Sequence, residues 1–106
     1  MAKYLVRASY TPEGAKGLLK DGGTKRVQVV KKLLKSAGIT LDSIYFALGE
    51  HDVYLIVDAP DNAAMTAVAL ATNASGAVRL STTVLLTPAE VDDAAKRSVV
   101  YTPPGQ

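Results

Sequence analysis

The sequence predicts an α+β fold in which helices cover one face of a four-stranded antiparallel sheet. Three observations predict it. Residues 43–58, Ser43-Ile44-Tyr45-Phe46-Ala47-Leu48-Gly49-Glu50-His51-Asp52-Val53-Tyr54-Leu55-Ile56-Val57-Asp58, form two β-rich runs about a short Gly/acidic turn, the pattern of a hairpin. Residues 3–10 and 77–86 alternate with the period of two that a half-buried strand requires. The segments between these strands carry helix caps and apolar residues at helical spacing.

In the first strand Tyr4, Val6 and Ala8 face inward, and Lys3, Leu5, Arg7 and Ser9 face outward. Thr11-Pro12 opens a helix, with Thr as cap and Pro at the first helical position. Gly14, Gly17, Gly22 and Gly23 leave this segment weak or broken up to about residue 23. A better helix follows. Thr24 caps it, Val27, Val30, Leu34 and Ala37 recur on one stripe, and Gly38 ends it. In the hairpin, pairing Leu48 with Val53 places Ile44, Phe46, Leu48, Val53, Leu55 and Val57 on one apolar face. The opposite face receives Ser43, Tyr45, Ala47, Tyr54, Ile56 and Asp58. Ala59-Pro60-Asp61-Asn62 stops the strand and supplies Asp61 as cap for an Ala-rich helix over 63–74, closed by Ser75-Gly76. In the fourth strand Val78, Leu80, Thr82 and Val84 point inward, and Arg79, Ser81, Thr83 and Leu85 outward. Thr87-Pro88-Ala89-Glu90 has the form of a capping box, which predicts a last helix to about residue 98. The domain is therefore expected over 1–98, with an extended tail over 99–106 that contains Pro103-Pro104-Gly105. The right-handed crossover rule folds this order most simply into a ferredoxin-like βαββαβ sheet, ordered 4-1-3-2, with an added C-terminal helix.

Composition narrows the functional classes. With 48% hydrophobic and 21% charged residues the chain is an ordinary globular protein, and no apolar run reaches the ~20 residues of a membrane span. Without cysteine it has no disulfide, thiolate metal site or cysteine nucleophile. The start Met1-Ala2-Lys3-Tyr4 has no basic leader before an apolar core, so a cytoplasmic location is expected. The net charge of +2 is unevenly spread: residues 1–37 hold nine Lys/Arg against Glu13 and Asp21, while residues 38–106 hold three against eight acids. Lys25, Arg26, Lys31, Lys32 and Lys35 concentrate the positive charge on one helix. No aromatic or Gly-rich recognition pattern accompanies them, so they read as a solvated face rather than a nucleic-acid footprint.

The face without helices collects Leu5, Tyr45, Tyr54, Ile56 and Leu85 among Lys3, Arg7, Asp58, Arg79 and Ser81. A half-apolar open sheet is best hidden by a second copy of itself, so a homodimer packed sheet to sheet, or a higher homo-oligomer, is expected.

At the turn Gly49-Glu50-His51-Asp52 and its flanking strands the chain resembles the GYD domain family, named for a Gly-Tyr-Asp signature at this hairpin. Tyr4-Leu5-Val6, Ser9-Tyr10-Thr11-Pro12-Glu13-Gly14, Asn73-Ala74-Ser75-Gly76-Ala77-Val78-Arg79, Leu86-Thr87-Pro88-Ala89-Glu90 and Tyr101-Thr102-Pro103-Pro104-Gly105 extend the similarity over nearly the whole chain. His51 stands where the family's tyrosine is expected. The resemblance implies a dimeric α/β barrel, a superfamily that includes monooxygenases of antibiotic synthesis, ligand-sensing domains of regulators and heme-degrading enzymes. It does not choose among those activities.

Candidate chemistry is sparse. Arg7 and Arg79, on neighbouring strands, point to the open face on a diagonal, where two guanidinium groups suit a carboxylate or phosphate. The competing reading pairs each with a carboxylate such as Asp58 or Glu50 of a second copy. Tyr45 and Tyr54 line the same face, either around a ligand or as interface fillers. His51 is the only imidazole and so the default acid or base near neutral pH. Glu50 and Asp52 beside it raise the question of a metal, but three consecutive residues of an extended chain do not converge on one ion, and turn chemistry explains them. No metal or other cofactor is expected. Gly14, Gly22 and Gly23 match no phosphate-loop spacing, Asn73-Ala74-Ser75 reads as a helix end, and Asp92 with Asp93 reads as surface solubility. The leading expectation is a homo-oligomeric module holding a small anionic molecule near Arg7, Tyr45, Tyr54 and Arg79. The competitors are a cofactor-independent monooxygenase-like enzyme using His51 or a tyrosine, and a nucleic-acid or protein-binding adaptor acting through the basic helix over 25–35.

Overall fold

The computed structural model describes residues 2–106. Its strands are β1 (Ala2–Tyr10), β2 (Thr40–Phe46), β3 (Val53–Ala59) and β4 (Val78–Leu85), and its helices α1 (Pro12–Asp21), α2 (Gly23–Ser36), α3 (Asn62–Ala74) and α4 (Pro88–Lys96). The sheet runs β2-β3-β1-β4 with every neighbouring pair antiparallel, the expected ferredoxin-like order viewed from its other edge. Tyr4, Val6 and Ala8 of β1 and Val53, Leu55 and Val57 of β3 pack with Leu34, Met65 and Val68 of α2 and α3. The Tyr4 hydroxyl, at the edge of this core, donates to Asn62 Oδ1 at 2.6 Å.

Local signals placed most boundaries. Thr11 caps α1, accepting from the Gly14 amide, and Asp61 caps α3 through the Ala64 amide at 2.8 Å. Thr87 and Glu90 form the full capping box of α4, whose last residue is Lys96, short of residue 98. Thr24 is not a cap. Gly22, with φ of 80°, divides the two helices and stands at the cap position of α2 with no side-chain bond, because only a glycine makes that left-handed bend without strain. Gly14 is needed for space instead. A Cβ there would run into the Ala77 carbonyl oxygen, so the residue lets α1 lie close against the start of β4.

The hairpin register differs from expectation. Phe46, not Leu48, faces Val53, and Tyr45 faces Tyr54. Leu48 is fully exposed in the turn. The cause is Asp52, whose amide donates to the Ala8 carbonyl, whose carbonyl accepts from the Ala47 amide, and whose Oδ2 accepts from the Tyr10 amide. These bonds end β2 at Phe46 and tie the turn to β1. The slip is two residues, so each side chain keeps its face. The β2 strand also begins earlier, at Thr40, with an irregular step between Leu41 and Ser43 that leaves Asp42 as the extra residue of a bulge. On β4, Val78, Leu80, Thr82 and Val84 all stand on the helix side as expected, Thr82 opposite Val6 and Val84 opposite Tyr4; Val78 is buried, while Thr82 and Val84 stay exposed beside α3, where its cover gives out.

Among the described residues α4 makes no substantial packing contact with another element, and all its side chains are exposed. The radius of gyration, 17.1 Å, exceeds the ~13 Å of a compact chain this long, and the longest extent is 57 Å. Among the described residues no helix is long and apolar enough to cross a membrane.

Candidate functional site

The open face is organised in rows across all four strands. Tyr45 of β2 faces Tyr54 of β3, Tyr54 faces Arg7 of β1, and Arg7 faces Ser81 of β4. The next row is Ser43, Ile56, Leu5 and Thr83. Toward the far end, Lys3 lies between Asp58 and Leu85. The alternation of strand side chains alone brings these groups to one side.

Three of the four expected site residues thus stand in a single row, and Arg79 stands one step away, opposite Ser9. Arg7 turns toward β4, where its Nη2 donates to Ser81 Oγ at 3.2 Å and Thr83 Oγ1 at 3.3 Å. Its Nε is buried with no hydrogen-bond partner. Neither Arg7 nor Arg79 meets a carboxylate among the described residues. Asp58 is taken by Lys3, whose Nζ lies 3.1 Å from both Asp58 and Asp42. Those bonds, Asp58 first and Asp42 second, raise the Lys3 ammonium above its ordinary pKa.

His51 leaves the turn and folds back over this face. Its Nδ1 is 3.2 Å from Ser9 Oγ, and its ring meets Tyr54 edge to face with centroids 5.9 Å apart. Asp52 points the other way, to the Tyr10 amide, and Glu50 is exposed. The three consecutive residues do not converge on one point, which follows from this turn geometry.

Sequence reading did not foresee Ser9 and Thr83 as partners. The only available signal was their parity with Arg7: Ser9 is two positions along the same strand, and Thr83 sits two beyond the residue facing Arg7. The resulting surface offers a partly buried guanidinium, a second exposed one, hydroxyls and two phenols, with Tyr45 74% exposed. Guanidinium and hydroxyl groups are the donors that carboxylate and phosphate oxygens accept from.

These features define an α+β, ferredoxin-like protein whose antiparallel sheet carries a polar and aromatic site on its uncovered side. The GYD domain model matches residues 4–95, and the chain belongs to that family. No curated protein and no solved structure matches the chain.

Proposed function

We propose that the chain is a self-associating module that binds a small anionic molecule on its open sheet face, near Arg7, Tyr45, Tyr54 and Arg79. The observation that carries this reading is Arg7. A guanidinium with a buried, unpartnered Nε and only hydroxyls on Nη2 keeps its charge uncompensated, and an orphaned buried donor costs about 1–3 kcal/mol. A carboxylate or phosphate oxygen relieves that cost. A second copy of the sheet, laid on the first, would cover the apolar part of the face and turn the row of tyrosines and Arg7 into a cleft. Calorimetry with benzoate and with inorganic phosphate is the direct test: binding that falls about tenfold or more in both Arg7→Ala and Arg79→Ala supports the reading, since each removes charge-assisted bonds. Equal affinity in wild type and both variants, or no binding of either anion, rejects it.

A second reading follows from His51. The contact between His51 Nδ1 and Ser9 Oγ, beside the Tyr54 ring, is an arrangement able to move a proton at the rim of the same cleft, as a cofactor-independent enzyme would need. Turnover of an aromatic substrate that disappears in His51→Gln, with anion binding retained, would favour it.

A further inference from the structure

On the opposite, helix-covered side of the sheet, α1, α2 and the end of α3 border a cleft of 430 Å³. Two polar atoms there are buried without any hydrogen-bond partner, Arg26 Nε of α2 and Thr72 Oγ1 of α3. Both residues also line an inner void of 50 Å³ against the core, so they stand where cleft and void adjoin. One orphaned polar atom is a common imperfection. Two, from different helices around the same opening, describe a place prepared for an acceptor.

The charges of the lining narrow its chemistry. Asp21 is engaged by Lys25 at 3.4 Å. Arg26 and Glu13 are then the lining charges without an ion pair among the described residues, one of each sign. A simple anion would satisfy Arg26 and be repelled by Glu13; a simple cation would do the reverse. A dipolar molecule satisfies both. Leu18 and Leu33 provide an apolar wall, and Gly17 contributes room where a side chain would otherwise stand.

From this we infer that the helix-side cleft is a binding site for a small zwitterion carrying a carboxylate and an ammonium group. The carboxylate pairs with the Arg26 guanidinium at the mouth above Thr72, the ammonium donates to Glu13, and the remainder of the molecule lies against Leu18 and Leu33. The site is separate from the sheet face, so it stands or falls independently of the anion site at Arg7.

The test is calorimetry and thermal unfolding of the full chain with glycine, L-leucine and L-glutamine, alongside 4-methylpentanoate and 3-methylbutylamine, which each carry one of the two charges. At least one amino acid is expected to bind and to raise the unfolding midpoint, with either half-molecule weaker by about tenfold, the loss expected for one charge-assisted contact. Arg26→Gln should weaken binding by a similar factor. Gly17→Leu should abolish it in a folded protein, because a Cβ at Gly17 meets nothing within 4 Å. Running the titrations also in Arg7→Ala, which removes the sheet-face anion site, should leave the amino-acid binding and its preference over the half-molecules in place. In that background, no binding by any of the three amino acids, equal binding of a half-molecule, or undiminished binding in Gly17→Leu overturns the assignment.

Discussion

Two glycines of one helix show how far residue type underdetermines residue role. Gly14 and Gly17 look alike in the sequence, as interruptions of a helix, yet a Cβ on Gly14 strikes the Ala77 carbonyl oxygen and one on Gly17 strikes nothing. Gly14→Ala is therefore expected to destabilise by about 1–3 kcal/mol through overpacking. Gly17→Ala should stabilise by about 0.5–1 kcal/mol, the helix-propensity difference. Urea unfolding of the two variants gives both signs in one experiment. The Lys3 cluster makes a second residue-scale prediction. Because Asp58 and Asp42 raise the folded-state pKa of Lys3, its contribution is fully present below the ordinary value of 10.5 and fades as pH climbs through the higher folded value. The difference in unfolding midpoint between wild type and Lys3→Met should stay constant from weakly acidic pH through neutrality and shrink in alkali. A difference that changes between weakly acidic and neutral pH would contradict this. Lys3 is half exposed, so the difference itself should be small.

At the scale of elements, what was legible in the sequence was local. The caps at Thr11, Asp61 and Thr87 each act on the amide three residues on, so short motifs reveal them. Strand faces are equally legible, since the period of two assigned Arg7, Tyr45, Tyr54 and Arg79 to one side without knowledge of register. Register was not legible. It depends on Asp52 bonding the Tyr10 amide, a contact across 42 residues that no hairpin pattern contains. The same holds for His51 reaching Ser9, and for the orphaning of Arg26 and Thr72, which exists only once three helices are in place. Two caps should behave differently when removed. Asp61→Ala is expected to cost about 1 kcal/mol in global unfolding, because α3 contributes Met65 and Val68 to the core. Thr87→Ala should leave global unfolding nearly unchanged while amide exchange across residues 88–96 accelerates, because α4 buries no residue. Equal global losses in the two variants would mean that α4 is packed after all.

At the scale of the whole molecule, the open sheet face and the C-terminal arm leave apolar groups in water. Tyr45, Tyr54, Leu86, Val99, Val100 and Tyr101 are all exposed, and α4, at nine residues, is shorter than the roughly 12–15 residues at which a free helix is even marginal. A second copy laid across the sheet would cover the apolar part of that face. A stable interface of this kind covers ~800 Å² on each partner, an area within reach of a four-stranded face. The expected outcome is a dimer by sedimentation equilibrium whose unfolding midpoint rises with protein concentration, since association couples to folding by mass action. Tyr54→Lys, which places another cation directly opposite Arg7 in the middle of the face, should give a folded monomer with a concentration-independent midpoint. Its circular dichroism should match wild type, because Tyr54 contributes nothing to the buried core. A wild-type chain that sediments as a monomer at every concentration would leave the sheet bare and remove the enclosed cleft at Arg7, while the helix-side cleft at Arg26, which lies within one chain, would be untouched.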